Sequence, residues 1–412
     1  MKILIVCDAF PPEFAPRMGY LCKYLSRMGC QSDIVCEHYA DDRRFAFLEG
    51  HARNVKRIRF YRSLRMPKPK TEWGLLMLRD VFFRYKERRL VKEIRKDTSF
   101  SGYDLVLCSS CRTFPLGAGL ALARHFDVPL VADLRDIVEQ YPDKSYLSHH
   151  LPFSRIVDAW YTRRMLKERN RVLAKAAAVT SVSPWHVEFL KRFNPNTHLI
   201  YNGYDPELFF PEPKPDPYFR IVFTGRLISL RNRDPEWLFR ATAELLKSGR
   251  VDKDDFRLCW YVDEESRRHI LSSAKEHGLE DIIECSGFIP ADHVPDLLNR
   301  ASVLLQLANI SDENGPKGVM TTKLFESLAM GKPLLLVPGD RSYLEQILRK
   351  YDCGAAAGSV DDIERFIVEK YDEWKREGLV RQEVHPDIPR LFSRERQAEQ
   401  FLRLFKNVLK DA

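Results

Sequence analysis

The segment TTKLFESLAMGKP (321–333) carries one acid, Glu326, on an otherwise apolar-faced short helix, directly behind a loop, NGPKGVM (314–320), that holds two glycines and a lysine. Gly315 and Gly318 free the backbone, Lys317 and Lys323 bring charge, and Thr322 can cap the helix, which together predict an anion site suited to phosphate. Glu326, one turn in, would be repelled by phosphate but is placed to accept two hydrogen bonds from ribose hydroxyls. A second cationic loop points the same way. After IVFTG (221–225) comes RLISLRNRDPEW (226–237), where Gly225 permits a close turn and Arg226 and Arg231 offer guanidinium groups that can grip phosphate oxygens in pairs.

Metal chemistry finds less support. Asp252 and Asp254 have Asp-x-Asp spacing but fall in a charged turn between a helix and a strand, and His149, His150 and His186 show no ligand spacing. No bound metal is expected. Cys108 and Cys111 have redox-motif spacing at the end of a predicted strand, without the other features of such a motif. Nine cysteines, irregularly spaced, read instead as reduced thiols of a cytoplasmic protein.

Elements that could hold such loops alternate along the whole chain. Apolar runs KILIVC, SDIVCE, RIRFY, DLVLCS, PLVADL, AAVTSV and HLIYN are separated by helical patterns such as PRMGYLCKYLSRMG, and the alternation restarts with RIVFTG, FRLCWYV, IIECSGF, SVLLQLA and PLLLVP. Strand–helix alternation specifies parallel sheets with helices on both faces. Between the two series lies the proline-rich stretch PELFFPEPKPDPYF, predicted to be a linker at 206–219, with one lobe at 1–205 and another at 220–392. The amphipathic tail, entered through a capping Ser393, is expected to pack back on the first lobe. The fold class is therefore α/β, with two doubly wound, Rossmann-like lobes facing across a cleft. Neither lobe opens with Gly-x-Gly-x-x-Gly, which argues against a nicotinamide-type dinucleotide enzyme.

At 412 residues and a net charge of +8, the chain suits two domains, and the charge is concentrated. Residues 53–96 hold sixteen Lys and Arg against four acids, which leaves the remainder slightly acidic. Within that region WGLLMLRDVFFRYKERRLVKEIRK (73–96) places Leu76, Phe83 and Leu90 at heptad spacing, with Arg79, Arg84, Lys86, Arg88, Lys92 and Arg95 off the stripe. This is either a core helix with a solvated basic face or a contact with an anionic membrane surface. No nucleic-acid-binding motif accompanies it, and nucleic acid is not an expected partner. No apolar run is long enough to span a bilayer, so the expected location is the cytoplasm or the inner face of the membrane.

The segments FTGRL, SGFIPADHVPDLLNRASVLLQLA and TTKLFESLAMGKPLLLVPGD resemble the donor lobe of family-4 glycosyltransferases of the GT-B fold, most specifically over 318–334. FPPEFAPRMGYLCKYLSRMG and VTSVSPWHVEFLKRFNPNTHLIYNGYDPELF resemble the acceptor lobe and its lead-out. The resemblance implies retaining transfer of a sugar from a nucleotide diphosphate sugar, with no tightly bound metal and no cofactor beyond that co-substrate. Glu326 would bind the ribose, Arg226 the diphosphate, and Arg231 would stand in the place of the family's paired lysine. The family often has a second acid where this chain has Gly318. Either Asp312 or Glu313 replaces it, or backbone amides of Gly318, Val319 and Met320 hold the sugar. In VADLRDIVEQYPD (131–143), Arg135 and Asp136 match the place of a His-Asp motif. Asp136 is expected to orient an acceptor hydroxyl or the donor sugar, although Asp133 and Asp136 could equally pair with Arg135 and only fix the loop. Glu13 and Arg17 are expected on the acceptor side, Arg17 against a phosphate.

The acceptor implied is a glycan or lipid-linked glycan in surface polysaccharide assembly. Two other readings use the same lobes. A nucleotide-sugar epimerase would need an acid/base set for C–H cleavage that the sequence does not display. A non-catalytic nucleotide-sugar scaffold would explain Gly318 but not the retained Arg226 and Glu326.

Overall fold

Lys2–Cys7 (β1) is apolar at every position but the first, and it is buried from Ile3 onward, as a central strand covered on both faces must be. In this computed structural model, which describes residues 1–64, 68–140, 154–227, 233–308, 310, 317 and 320–411, β1 lies inside a seven-stranded sheet. The other strands are Gln31–Glu37 (β2), Asn54–Ile58 (β3), Leu105–Ser110 (β4), Leu130–Leu134 (β5), Ala178–Ser181 (β6) and Thr197–Leu199 (β7). Their order is β3-β2-β1-β4-β5-β6-β7, parallel throughout. Helices Pro16–Arg27 (α1), Lys70–Phe83 (α2), Tyr85–Arg95 (α3), Leu116–Phe126 (α4), Ser154–Leu173 (α5) and Pro184–Leu190 (α6) connect them.

A second sheet is built from Phe219–Gly225 (β8), Phe256–Val262 (β9), Ile283–Ser286 (β10), Val303–Leu307 (β11), Leu334–Val337 (β12) and Gly354–Ala356 (β13), in the parallel order β10-β9-β8-β11-β12-β13. Its helices are Glu236–Lys247 (α7), Glu264–Glu276 (α8), Val294–Arg300 (α9), Thr322–Leu328 (α10), Tyr343–Lys350 (α11), Val360–Glu377 (α12) and Asp387–Phe392 (α13). The chain divides into two units, Met1–Tyr201 with Arg394–Ala412, and Asn202–Ser393. The last helix, Arg394–Lys410 (α14), packs on α1: the Arg17 guanidinium faces the Phe401 ring at 5.3 Å and Arg394 faces Tyr20 at 5.2 Å. The proline-rich stretch is held on the second unit, where Asn299 accepts from the Glu212 N–H at 2.8 Å and donates to the Phe210 carbonyl at 3.3 Å.

The basic segment 73–96 is not one continuous helix. Arg84 adopts φ 52, in the left-handed region, and ends α2 before α3 begins. The break rotates the stripe, so that Leu76, Leu90 and Ile94 are buried while Phe83 is 62% exposed. Among the described residues, no helix is long and apolar enough to cross a membrane.

Candidate functional site

In the second unit the carboxyl end of β8 and the first turn of α10 meet. Gly225 has φ +135, and a Cβ added there would run into Lys323 Nζ, so only glycine lets this ammonium sit against the strand end. Lys323 and Glu326 are one turn apart on one face of α10, while Leu324, Phe325 and Leu328 are buried on the other, with Phe325 against Phe392 at 4.9 Å. Gln306 donates to Ser327 Oγ at 3.1 Å, tying the helix to β11.

Around Lys323 stand two further cations. Arg226 pairs through Nε with Asp263 Oδ2 at 3.1 Å, keeps more than half of its side chain exposed, and lies over the Phe288 ring at 5.5 Å. Arg233 donates from Nη1 to the Arg226 carbonyl at 2.6 Å. Asp263 also caps α8 by accepting from the Ser266 N–H at 3.0 Å, and Ser266 Oγ accepts from the Leu227 N–H at the same distance. The loop after β8 is thereby anchored at both its backbone and its arginine. Burial, then the like charges of Arg233 and Arg226, push Lys323 down to about 7 against the opposing pull of Glu326 and Asp263. No hydrogen-bond acceptor is recorded for Lys323 Nζ among the described residues. Three cations with a deficit of counter-charge at a strand end suit an anion, and an anion is what would restore Lys323 to its ordinary range.

Of the residues expected here, Arg226, Lys323 and Glu326 are brought together, with Glu326 half-buried beside the cations. Arg231, Gly318 and Val319 lie outside the described residues, as do Asp312, Glu313, Gly315, His149 and His150. Met320 is buried, and its carbonyl accepts from Asn202 at 3.4 Å. Thr322 does not cap α10: Thr321 holds the capping position and makes no side-chain cap bond, so Thr322 is already inside the helix. Arg233 was not anticipated. Its signal was present as the third arginine of RLISLRNR, but the loop's course decides which arginines turn inward. Lys332 stands apart from the cluster: it is buried beneath the Val380 carbonyl, at 3.5 Å, and burial followed by Arg381 pushes it down to about 8.

In the first unit, the strand ends of β1, β4 and β5 gather Asp8, Cys111, Arg135 and Asp136. Asp136 accepts from Cys111 Sγ at 3.1 Å and from Gln140 Nε2 at 2.9 Å. It makes no ion pair among the described residues. Arg135 pairs with Asp8 instead. Asp133 is not part of this group. It is fully buried, takes Arg17 Nη2 at 2.9 Å and Nε at 3.1 Å, and accepts from Ser109 at 2.9 Å and Thr180 at 2.7 Å. Burial raises its carboxyl, but the Arg17 charge and these hydrogen bonds outweigh burial and hold it below the usual range.

The expectation that Arg17 meets a phosphate is therefore corrected. Its guanidinium is 3% exposed and committed to Asp133 and to the carbonyls of Ile200 and Tyr201, at 3.0 and 2.9 Å. Glu13 also turns inward. It accepts from His38 Nδ1 at 2.9 Å and the Tyr39 N–H at 3.2 Å, and burial raises its carboxyl against His38. Both brace loops, because displacing their partners would strand a buried charge. His186, not anticipated beside Asp136, is buried against Ser181 Oγ at 3.2 Å and pushed down to about 4 by burial, opposed by Asp136 and Glu139. It is a neutral imidazole near the candidate carboxylate, placed by the turn from β6 into α6, which leaves no local mark in sequence.

Cys108 faces α4 from inside β4 and Cys111 faces Asp136, so the two are no dithiol pair; all nine cysteines are free. Among the described residues no group of three or more His, Cys, Asp or Glu is arranged to hold a metal ion. Asp252 accepts from the Asp254 N–H at 2.9 Å, which is an ordinary turn.

Comparison with known proteins places this geometry. Residues 17–208 match Glycosyltransferase Family 4 and residues 218–368 match Glycosyl transferases group 1. No curated protein sequence matches the chain. Among solved structures, sucrose-phosphate synthase of Thermosynechococcus elongatus superposes with a TM-score of 0.66 at 14% identity, covering 100% of both chains. HepE of Anabaena, solved with UDP and glucose, gives 0.64 at 16% identity over 99% of this chain and 100% of its own. MnaA of S. aureus, solved with UDP, gives 0.55 at 12% identity over 100% and 97%. With two parallel Rossmann-like sheets and family matches that together run from residue 17 to residue 368, the chain belongs to the family-4 glycosyltransferases of the GT-B fold.

Proposed function

We propose that this glycosyltransferase takes a sugar from a nucleotide diphosphate sugar and passes it, with retained configuration, to a glycan or lipid-linked glycan during surface polysaccharide assembly at the inner face of the cytoplasmic membrane. The observation that carries the donor half is the cation cluster of Arg226, Arg233 and Lys323, with Glu326 on the same helix face as the lysine. In the reaction, the bond from the anomeric carbon to the diphosphate oxygen breaks. The acceptor hydroxyl oxygen takes that carbon, and its proton leaves with the nucleoside diphosphate. Negative charge grows on the departing diphosphate, and fixed cations aimed at it lower the barrier without reorganising.

Arg226, Arg233 and Lys323 supply that charge in this reading, so no divalent metal is required. Glu326 accepts from the ribose hydroxyls. Asp136, with neutral His186 near it, orients the acceptor hydroxyl, and Arg135 fixes the loop that presents Asp136 through its pair with Asp8. Uridine is the first base to test, since HepE and MnaA were both solved with UDP.

The test is thermal shift with UDP, GDP, dTDP, ADP and CMP on wild type, Arg226→Ala and Glu326→Ala. A ligand at about 100 times its dissociation constant adds roughly 2.7 kcal/mol of stability. UDP is expected to stabilise wild type and to lose most of its effect in both variants. Equal stabilisation of all three proteins would overturn the assignment of the site.

A further inference from the structure

Six of the twelve exposed large hydrophobic side chains among the described residues sit on α2 and the start of α5. On α2, Leu75, Leu78 and Phe82 follow one another at i, i+3 and i+7 and are 57%, 53% and 61% exposed, with Phe83 beside them. Leu76 and Val81, on the opposite side, are buried, and Val81 packs with Tyr161, Met77 and Met165. The helix is apolar on both faces, yet one face looks outward. A soluble helix normally shows a polar outer face.

α5 continues this surface. Arg164 donates to the Val81 carbonyl at 2.7 Å and lies over the Trp160 ring at 5.5 Å, which sets Trp160 next to the end of α2. Trp160 and Ile156 are exposed at i and i−4 along α5. Cations stand around the patch among the side chains described. Lys70, Arg79, Arg163 and Lys167 are exposed, and none of them has a carboxylate partner recorded among the described residues. Nearby acids are used internally: Glu72 accepts from the Arg62 N–H, Asp80 from the Lys86 N–H at 2.9 Å, and Glu168 pairs with Arg84 at 3.0 Å and Arg171 at 2.6 Å.

We infer that this α2–α5 surface docks on an anionic lipid bilayer, with Leu75, Leu78, Phe82 and Trp160 entering the headgroup and upper acyl region and Arg79, Arg163 and Lys167 meeting lipid phosphates. Exposed Leu, Phe and Trp ringed by long cationic side chains match the interfacial zone, where rings anchor and Lys and Arg stems extend to the charged headgroups. Pairing with a second copy would bring two sets of uncompensated cations together, which disfavours the patch as a self-interface. The inference extends the reading of a lipid-linked acceptor; within 73–96 it keeps the contact on α2 rather than α3, and it adds α5.

The experiment is co-sedimentation of the full chain with phosphatidylcholine vesicles, with and without phosphatidylglycerol, for wild type, Leu78→Ser/Phe82→Ser/Trp160→Ser and Arg79→Glu/Arg163→Glu. Circular dichroism and UDP thermal shift on each protein keep folding and the donor site as separate readouts. Wild type is expected to bind the anionic vesicles. The apolar triple variant should bind them at least about a hundredfold more weakly, and the charge-reversed pair at least about thirtyfold more weakly. Equal binding to neutral vesicles, unchanged binding by folded variants, or no vesicle binding with self-association abolished by the triple variant would each overturn the proposal. A missing UDP shift with intact vesicle binding would instead strike the donor reading alone.

Discussion

Lys323 gives the proposed donor site a pH signature. Its ammonium, pushed to about 7 by burial and two arginines, is half deprotonated near neutrality in the free protein. A bound diphosphate favours the charged form, so binding takes up a proton above pH 7 and affinity falls as pH rises. If the bound lysine returns to its ordinary value of about 10.4, the protonated fraction of the free site drops from about one half at pH 7 to about one hundredth at pH 9. UDP should then bind about fiftyfold more weakly at pH 9, or ~2.3 kcal/mol. The phosphate's own second ionisation, near 6, is already about nine-tenths complete at pH 7 and contributes little across this window. Calorimetry in two buffers of different ionisation enthalpy should count about half a proton taken up at pH 7 and nearly one at pH 8.5. Lys323→Met should bind weakly with no such slope. Without ligand the sign reverses. The unfolded chain holds a proton on this lysine that the folded chain lacks between about 7 and 10.4, so the group's contribution to stability rises with pH across that window, and the difference between wild type and Lys323→Met should show it. A pH-independent UDP affinity in wild type, or the same slope in Lys323→Met, would refute the reasoning.

Asp136→Asn should keep the UDP thermal shift of wild type while sugar transfer falls by about a hundredfold or more, since the carboxylate is assigned to the acceptor hydroxyl rather than to the nucleotide; loss of the shift and of transfer together would point to a folding role. Arg17→Ala should destabilise the first unit by about 3–5 kcal/mol, because it strands the fully buried Asp133 without its cation. The depressed Asp133 carboxyl gives that pair an acid limit as well: its contribution is present above about 3.9 and drains as pH falls through the folded value, which denaturant titrations from pH 6 to pH 3 would show as a loss greater in wild type than in Arg17→Ala.

Much of the scaffold was legible because parallel strands covered on both faces are continuous apolar runs. FRLCWYV coincides with β9 at Phe256–Val262. β13 was not legible: Gly354-Ala355-Ala356 has neither bulk nor branching, and it is a strand because it pairs with β12, whose backbone a Cβ at Gly354 would strike. In the second unit, the grouping of Arg226, Lys323 and Glu326 could be read from two loop-to-helix junctions, since glycine beside cations is a local pattern. Arg233's part in the cluster could not.

The sequence alone determined most of the strands and helices, that they form two parallel α/β lobes, and which residue types collect at the strand ends, because burial on two faces and helical periodicity are written locally in the chain. Tertiary structure alone decided which charges are spent and which remain. Arg17 and Asp133 are 116 positions apart and meet only when β5 is laid beside β6 and β4 with α1 above them, which turns a candidate ligand residue into a buried brace. Lys323 is poised to titrate near neutrality because Gly225, from a strand nearly a hundred residues earlier, leaves it the space. The outward turn of Phe82 and Phe83 follows from a left-handed Arg84 that no glycine or proline announces. In each case the free energy of a charge or an apolar ring is set by what surrounds it in space, and only the folded chain fixes those surroundings.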